Sequence, residues 1–162
     1  MVTQRTTAKF VSHSVTSGSF KERYTMNKLL VIIFFLWGGL AHAGHAVIAN
    51  NGISASSISK TDLKNVFNGD IQSFSGANVV LAVLDSGPDS EAFFDQVLGT
   101  KLQVFERAWL EKALTGKGTA PKKKSSSAEV INFVSSTPGA IGFISDSDTG
   151  AASGKVKILT VN

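Results

Sequence analysis

The chain has 162 residues, 43% of them apolar, with 16 Lys+Arg against 12 Asp+Glu and no cysteine. That length allows one ordinary globular domain and leaves little room for two. The net charge of +4 invites a nucleic-acid partner only until it is located: residues 1–43 hold Arg5, Lys9, Lys21, Arg23 and Lys28 against Glu22 alone, and the rest of the chain balances to zero.

Residues 1–25 are Ser/Thr-rich and weakly periodic, and they end just before an internal methionine, Met26. They read as an over-long start assignment or a polar leader, without assigned structure. Met26, Asn27 and Lys28 then precede an apolar run from Leu29 to Leu40, followed by Ala41-His42-Ala43 and Gly44. A positive start, an apolar segment and a small-x-small exit form a secretory signal pattern over 26–43, with cleavage expected after Ala43. At about 1.5 Å per residue the run reaches roughly 18 Å, short of a ~30 Å hydrocarbon core. Membrane attachment is therefore expected only through an uncleaved leader, and the functional domain spans 44–162. Its location is expected to be the periplasm. A domain of that size buries enough apolar surface to stand without disulfides.

In chain order, His45 to Ala49 predicts a short strand closed by Asn50-Asn51-Gly52. Ser54 to Ser59 predicts a serine-rich loop. Ser59-x-x-Asp62 resembles a capping box, and Leu63, Val66 and Phe67 fall on one face of a short helix ended by Asn68-Gly69. Ala77 to Leu84 predicts a central strand covered on both faces, because Val79 to Leu84 is continuously apolar. Asp85-Ser86-Gly87-Pro88-Asp89 follows, then a helix with Phe94, Val97 and Leu98 inward and Gly99 as its stop. Pro88 suits a first helical turn. Lys101 to Leu114 predicts another helix, with Leu102, Phe105, Trp109 and Ala113 inward, and Thr115 to Lys124 a Gly/Lys-rich loop. Ser126-x-x-Glu129 caps a helix burying Val130, Phe133 and Val134, which Thr137-Pro138-Gly139 ends. Ala140 to Ser145 and Lys155 to Val161 predict two further strands, separated by the polar stretch 146–154. Strands alternating with helices around an apolar central strand predict a three-layer α/β domain.

The junction after Leu84 is the most informative site candidate. Ligands of open α/β sheets gather beyond the carboxyl ends of strands, and helix N-termini offer free N–H groups to anions. Ser86 supplies a hydroxyl and Gly87 lets the backbone approach a ligand; a plain capped helix is the simpler alternative. Asp85, Asp89 and Glu91 crowd the same junction, and two like charges about 6 Å apart cost roughly 3 kcal/mol at an effective dielectric near 20. Lys117 and Lys122-Lys123-Lys124 can offset them, although a solvated loop is the simpler explanation of three consecutive lysines, and without interleaved aromatics they do not favour nucleic acid. Enzyme chemistry finds little support. The domain from Gly44 onward has one histidine, His45, placed at a mobile end, and no G-x-S-x-G, H-E-x-x-H, Walker-type or G-x-G-x-x-G pattern. No catalytic residue, metal site or cofactor is expected.

Several segments occurring in order resemble a known family. They are Leu63-Lys64-Asn65-Val66-Phe67-Asn68-Gly69-Asp70-Ile71, Phe74-Ser75-Gly76, Ser86 to Phe93, Leu98-Gly99, Trp109, Leu114 to Pro121, and Pro138-Gly139-Ala140-Ile141-Gly142-Phe143. Together they are similar to the substrate-binding proteins of phosphate ABC importers, specifically short single-lobe members. The resemblance implies one lobe of the type II periplasmic-binding-protein fold, an exported non-enzymatic protein, and phosphate or a similar oxyanion as ligand, with an ABC importer or another envelope protein as partner. It places the family's phosphate loop on Ser86, Gly87 and Ser90, and an acid that accepts the proton of hydrogen phosphate on Asp85. Two departures stand out. Full-length members carry an arginine shortly before that loop, where this chain has Val83-Leu84, and its only arginine after residue 43 is Arg107. Their first lobe, with its own phosphate loop, has no counterpart here. A degenerate lobe serving as a sensory or protein-interaction module without a small ligand is the alternative expectation.

Overall fold

The computed structural model describes residues 44–162. The expected leader, with its cleavage point after Ala43, lies outside the described residues. The chain divides at Ala41/His42, and the unit from His42 to Asn162 carries its own core, whose buried apolar side chains all fall between Ala46 and Leu159.

The strands are β1 (His45–Ala49), β2 (Ser57–Ile58), β3 (Ser73–Phe74), β4 (Ala77–Asn78), β5 (Val80–Leu84), β6 (Lys122–Lys124), β7 (Ala140–Ser145) and β8 (Lys157–Val161). The helices are α1 (Lys60–Asn68), α2 (Pro88–Ala92), α3 (Leu102–Leu114), α4 (Ser127–Ser136) and α5 (Thr149–Ala152), with a π-helical segment at Phe93–Leu98 and a 3₁₀ turn at Asp146–Asp148. Six strands form one sheet in the order β2-β8-β1-β7-β5-β6, and β3-β4 is a separate hairpin. In the six-stranded sheet β1 runs antiparallel to β7 and β8, while the other pairings are parallel. The carboxyl ends of β5, β6 and β7 therefore share one edge.

Alternation along β7 explains the three layers. Phe143 points to one face, where its ring stacks on Phe93 at 3.8 Å and lies 6.3 Å from Phe67 of α1. Gly142 points to the other, where a Cβ would come within 2.9 Å of Val130 on α4. Side chains on successive strand residues alternate faces, so one strand contacts both helix layers. On the first face Phe94 packs on Phe105 of α3 at 4.4 Å, and Trp109 Nε1–H donates to the Phe67 carbonyl at 2.8 Å.

Local sequence explains the helix ends. Ser59 accepts from the Asp62 N–H at 3.0 Å and its hydroxyl donates back to the Asp62 carboxylate at 2.8 Å. Gly69 closes α1 in the left-handed conformation, φ 76°. Ser126 caps α4 by accepting from the Glu129 N–H, and the Glu129 carboxylate accepts from the Ser125 N–H, one residue before the cap.

Several expectations are corrected. The apolar run from Ala77 is broken at Val79: Ala77–Asn78 pairs with Ser73–Phe74, and β5 begins at Val80. Lys122–Lys124 is not loop but an edge strand, with Leu84 in register with Lys124; lysines are a common guard of exposed sheet edges. Ser57–Ile58 inside the serine-rich segment pairs with β8. The helix after Pro88 changes to π geometry, in which i→i+5 bonding ends at the Gly99 N–H donated to Phe94, and Phe93 is buried beside Phe94 while Val97 is only half-buried. On α4 Ile131 is buried and Phe133 half-buried. Ala113 is exposed, because the buried stripe of α3 stops at Trp109. His45 is held in β1, edge-on to Phe93 and Phe143, rather than at a mobile end.

Candidate functional site

β5 delivers its carboxyl end to the edge of the sheet. There the Asp85 N–H donates to the Lys124 carbonyl at 2.8 Å, so the final rung between β5 and β6 fixes the start of the loop. Asp85 Oδ1 accepts from the Ser86 N–H at 2.9 Å. Gly87 follows with φ 156° and ψ 169°, backbone that side-chain-bearing residues rarely adopt, and Pro88 opens α2. Ser90 is buried beneath the turn, and its hydroxyl donates to the Leu84 carbonyl at 3.1 Å. Helix α2 is thereby tied back to the strand that precedes it.

The start of α2 differs chemically from those of α1 and α4. Those two satisfy an N-terminal N–H with the side chains of Ser59 and Ser126, whereas Gly87 at the start of α2 offers no side-chain cap. The first N–H groups of a helix have no intrahelical acceptor, so they remain available to an external one. Lys101 leaves α3 uncapped in the same way.

Charge around the loop is organised by Lys123. Its ammonium lies 2.6 Å from Glu106 and 3.3 Å from Asp85. The Ser86 N–H, then the Lys123 hydrogen bond and charge, hold the Asp85 carboxyl below its ordinary value of 3.8. The Lys123 ammonium is held above its ordinary 10.5, first by the Glu106 carboxylate, with Asp85 adding to it and burial opposing. A depressed carboxyl stabilises the fold above its unfolded pKa, and that contribution is lost as pH falls through the folded value. An NMR pH titration is expected to place the Asp85 midpoint below 3.8, and Lys123→Met to move it upward; an unchanged midpoint in that variant would remove Lys123 from the account.

A groove of about 620 Å³ runs beside the loop between α2 and α3, bordered by Ser86, Glu91, Asp95, Lys101 and Glu106. Asp95 pairs with Lys101 at 2.6 Å. A second groove, of about 550 Å³, lies at the opposite end of β5, against Trp109, Val79, Lys117 and Lys122. No group of three or more candidate metal ligands occurs among the described residues.

Asp85, Ser86 and Gly87 thus stand together at the sheet edge, with Asp85 and Ser86 exposed, while Ser90 lies one turn below them in the interior. Of the four lysines singled out by sequence, Lys123 reaches the loop; Lys124 lies over the Phe133 ring at 4.6 Å, and Lys117 and Lys122 border the far groove. The role of Glu106 has no sequence signal, since its connection to Asp85 runs through Lys123 on another element.

The geometry defines a class first. One antiparallel strand in an otherwise parallel sheet, helices on both faces and a strand-to-helix turn at the carboxyl edge make a single three-layer α/β lobe. Solved structures make the likeness more particular. The chain is similar to PstS from Borrelia burgdorferi, with 21% identity and a TM-score of 0.56 over 73% of this chain and 47% of that one. It is also similar to an ABC-type phosphate transport receptor from Vibrio cholerae, with 14% identity and a TM-score of 0.55 over 73% of this chain and 46% of that one. The chain spans about half the length of these structures. By sequence it matches no family model and no curated protein. The likeness establishes the fold. No helix among the described residues is long and apolar enough to cross a membrane.

Proposed function

We propose that this protein is an exported, non-enzymatic single lobe that binds phosphate or a similar oxyanion at the turn formed by Asp85, Ser86 and Gly87, with Ser90 fixing the turn from below. The observation that carries the reading is the uncapped start of α2 at Gly87, set at the carboxyl end of β5. There the free N–H groups and the partial positive charge of a helix end favour an anion. Two structures of similar fold are a PstS and a phosphate transport receptor, which supports oxyanion as the ligand class. Asp85 accepts the proton of a hydrogen oxyanion through the oxygen not used by Ser86 and Lys123. Export follows from the leader pattern over 26–43, and an ABC importer or another envelope protein is the partner class.

Phosphate at about 100 times its dissociation constant is expected to stabilise the domain by roughly 2.7 kcal/mol. Melting curves across millimolar phosphate, sulfate and arsenate check this, and curves that do not move contradict it.

One observation favours a second reading, a lobe kept as a protein-interaction module. Lys123, the cation nearest the turn, is committed to Glu106 and Asp85, while Asp89 and Glu91 add negative charge with no ion-pair partner among the described residues. Flat melting curves together with a stoichiometric envelope partner recovered by pull-down are its expected outcome.

A further inference from the structure

Of the four large apolar side chains that stand exposed among the described residues, three lie on α3: Val104, Leu110 and Leu114, at 60%, 61% and 80% exposure. At about 100° per residue they fall, with Arg107 and Glu111, within one arc of about 120°. The opposite face of the helix carries the buried Leu102, Phe105 and Trp109. A soluble helix normally keeps its outer face polar, so this arc is an apolar stripe without a partner among the described residues. Arg107 and Glu111 are exposed and pair with no charge among the described residues.

The order of these residues selects the occupant. When a second copy of α3 is laid antiparallel across the first, with the two-fold axis at the level of Trp109, residues equally far on either side of that level meet. Arg107 then faces Glu111 of the other copy, and Val104 faces Leu114 of the other copy. Each contact occurs twice, and the two Leu110 side chains meet near the axis. One axis thus satisfies both the apolar and the charged positions, which is the self-complementarity that an isologous interface requires. The domain from Gly44 to Asn162 has no net charge to oppose association.

We propose that the protein forms a two-fold homodimer through this face of α3, independently of whether the Asp85–Gly87 turn binds an oxyanion. A single helix pair is smaller than a standard interface, so the dissociation constant is expected on the order of 10–100 µM.

Sedimentation equilibrium of the Gly44–Asn162 domain over a concentration series tests the proposal. The wild type is expected to show a reversible monomer–dimer equilibrium, and Leu110→Glu to weaken it by roughly 100-fold or more, since the substitution acts twice across the axis. Arg107→Glu and Glu111→Arg are each expected to weaken it by about tenfold through paired like charges. The combined R107E/E111R protein is expected to recover to within a few fold of wild type, because the pair is restored with its signs exchanged. Circular dichroism melts confirm that each variant is folded. A wild-type monomer throughout the series, leaving the stripe to a membrane or a different protein, overturns the proposal. A dimer that the charge reversals leave unchanged, or that their combination does not rescue, overturns it equally.

Discussion

Replacing Phe143 with alanine is expected to cost about 3–5 kcal/mol of folding free energy, the range for removing a large aromatic from a packed core. Phe143 is fully buried at the centre of β7. Its ring stacks on Phe93 at 3.8 Å with an interplanar angle of 5°, and meets Phe94 edge-on at 5.9 Å and Phe67 at 6.3 Å. Those partners come from α1 and the π-helical segment, so the cavity left by the truncation has sheet on one side and two helical elements on the other. Collapse would require both to move. Single domains are typically stable by about 5–15 kcal/mol, so the variant should be marginal. Urea unfolding should show a large fall in midpoint with an unchanged slope. A loss below about 1 kcal/mol would mean that the aromatic cluster does not hold the helices to the sheet.

Gly139→Ala is expected to cost about 2–4 kcal/mol, by a different mechanism. Gly139 follows Pro138 in the turn that leads from α4 into β7 and holds φ at 74°. A left-handed conformation costs a side-chain-bearing residue roughly 1–2 kcal/mol. The added Cβ would also run into the Asn78 carbonyl oxygen, a backbone atom that cannot swing aside. The carbonyl of Gly139 accepts from the Val80 N–H at 3.1 Å, so relief of the clash would pull at the start of β5. At about 3–5 °C per kcal/mol for a domain of this size, the melting temperature should fall by roughly 6–20 °C. Gly76→Ala provides the contrast: its φ of 81° is similar, but no atom lies within 4 Å of the added Cβ, so only the conformational part of the penalty applies. Equal losses at the two positions would remove the steric part of the argument.

The parts of the fold legible in sequence are those governed by local rules. The Ser59 cap, the Leu63, Val66, Phe67 face and the Gly69 stop describe α1 fully because each is set within a few residues. β1 and β7 were readable for the same reason, as short apolar runs between turn signals. The missed features depend on distant neighbours. β6 has no apolar pattern at all; it is a strand because the β5 edge beside it needs a partner, and its three lysines suit an outer position. The π-helical segment accommodates two adjacent phenylalanines against one sheet, which an α-helical period cannot signal.

The candidate site divides along the same line. The turn at Asp85 to Pro88 was readable as a strand-to-helix junction, and the structure brings Asp85, Ser86 and Gly87 together there. The burial of the Ser90 hydroxyl against Leu84 and the Glu106–Lys123–Asp85 chain join residues 6, 17 and 38 positions apart. No local pattern encodes those pairings. They also answer how the lysine run relates to the missing arginine: one lysine, Lys123, reaches the loop, but its charge is spent on carboxylates.

The most direct test is a phosphate titration of isotope-labelled Gly44–Asn162 protein followed at every backbone amide. Saturable shifts are expected, centred on the amides of Ser86, Gly87, Asp89 and Ser90, with smaller ones at Lys123 and Lys124. Amides unmoved at saturating phosphate, or shifts confined to Lys117 and Lys122 at the far groove, would contradict it.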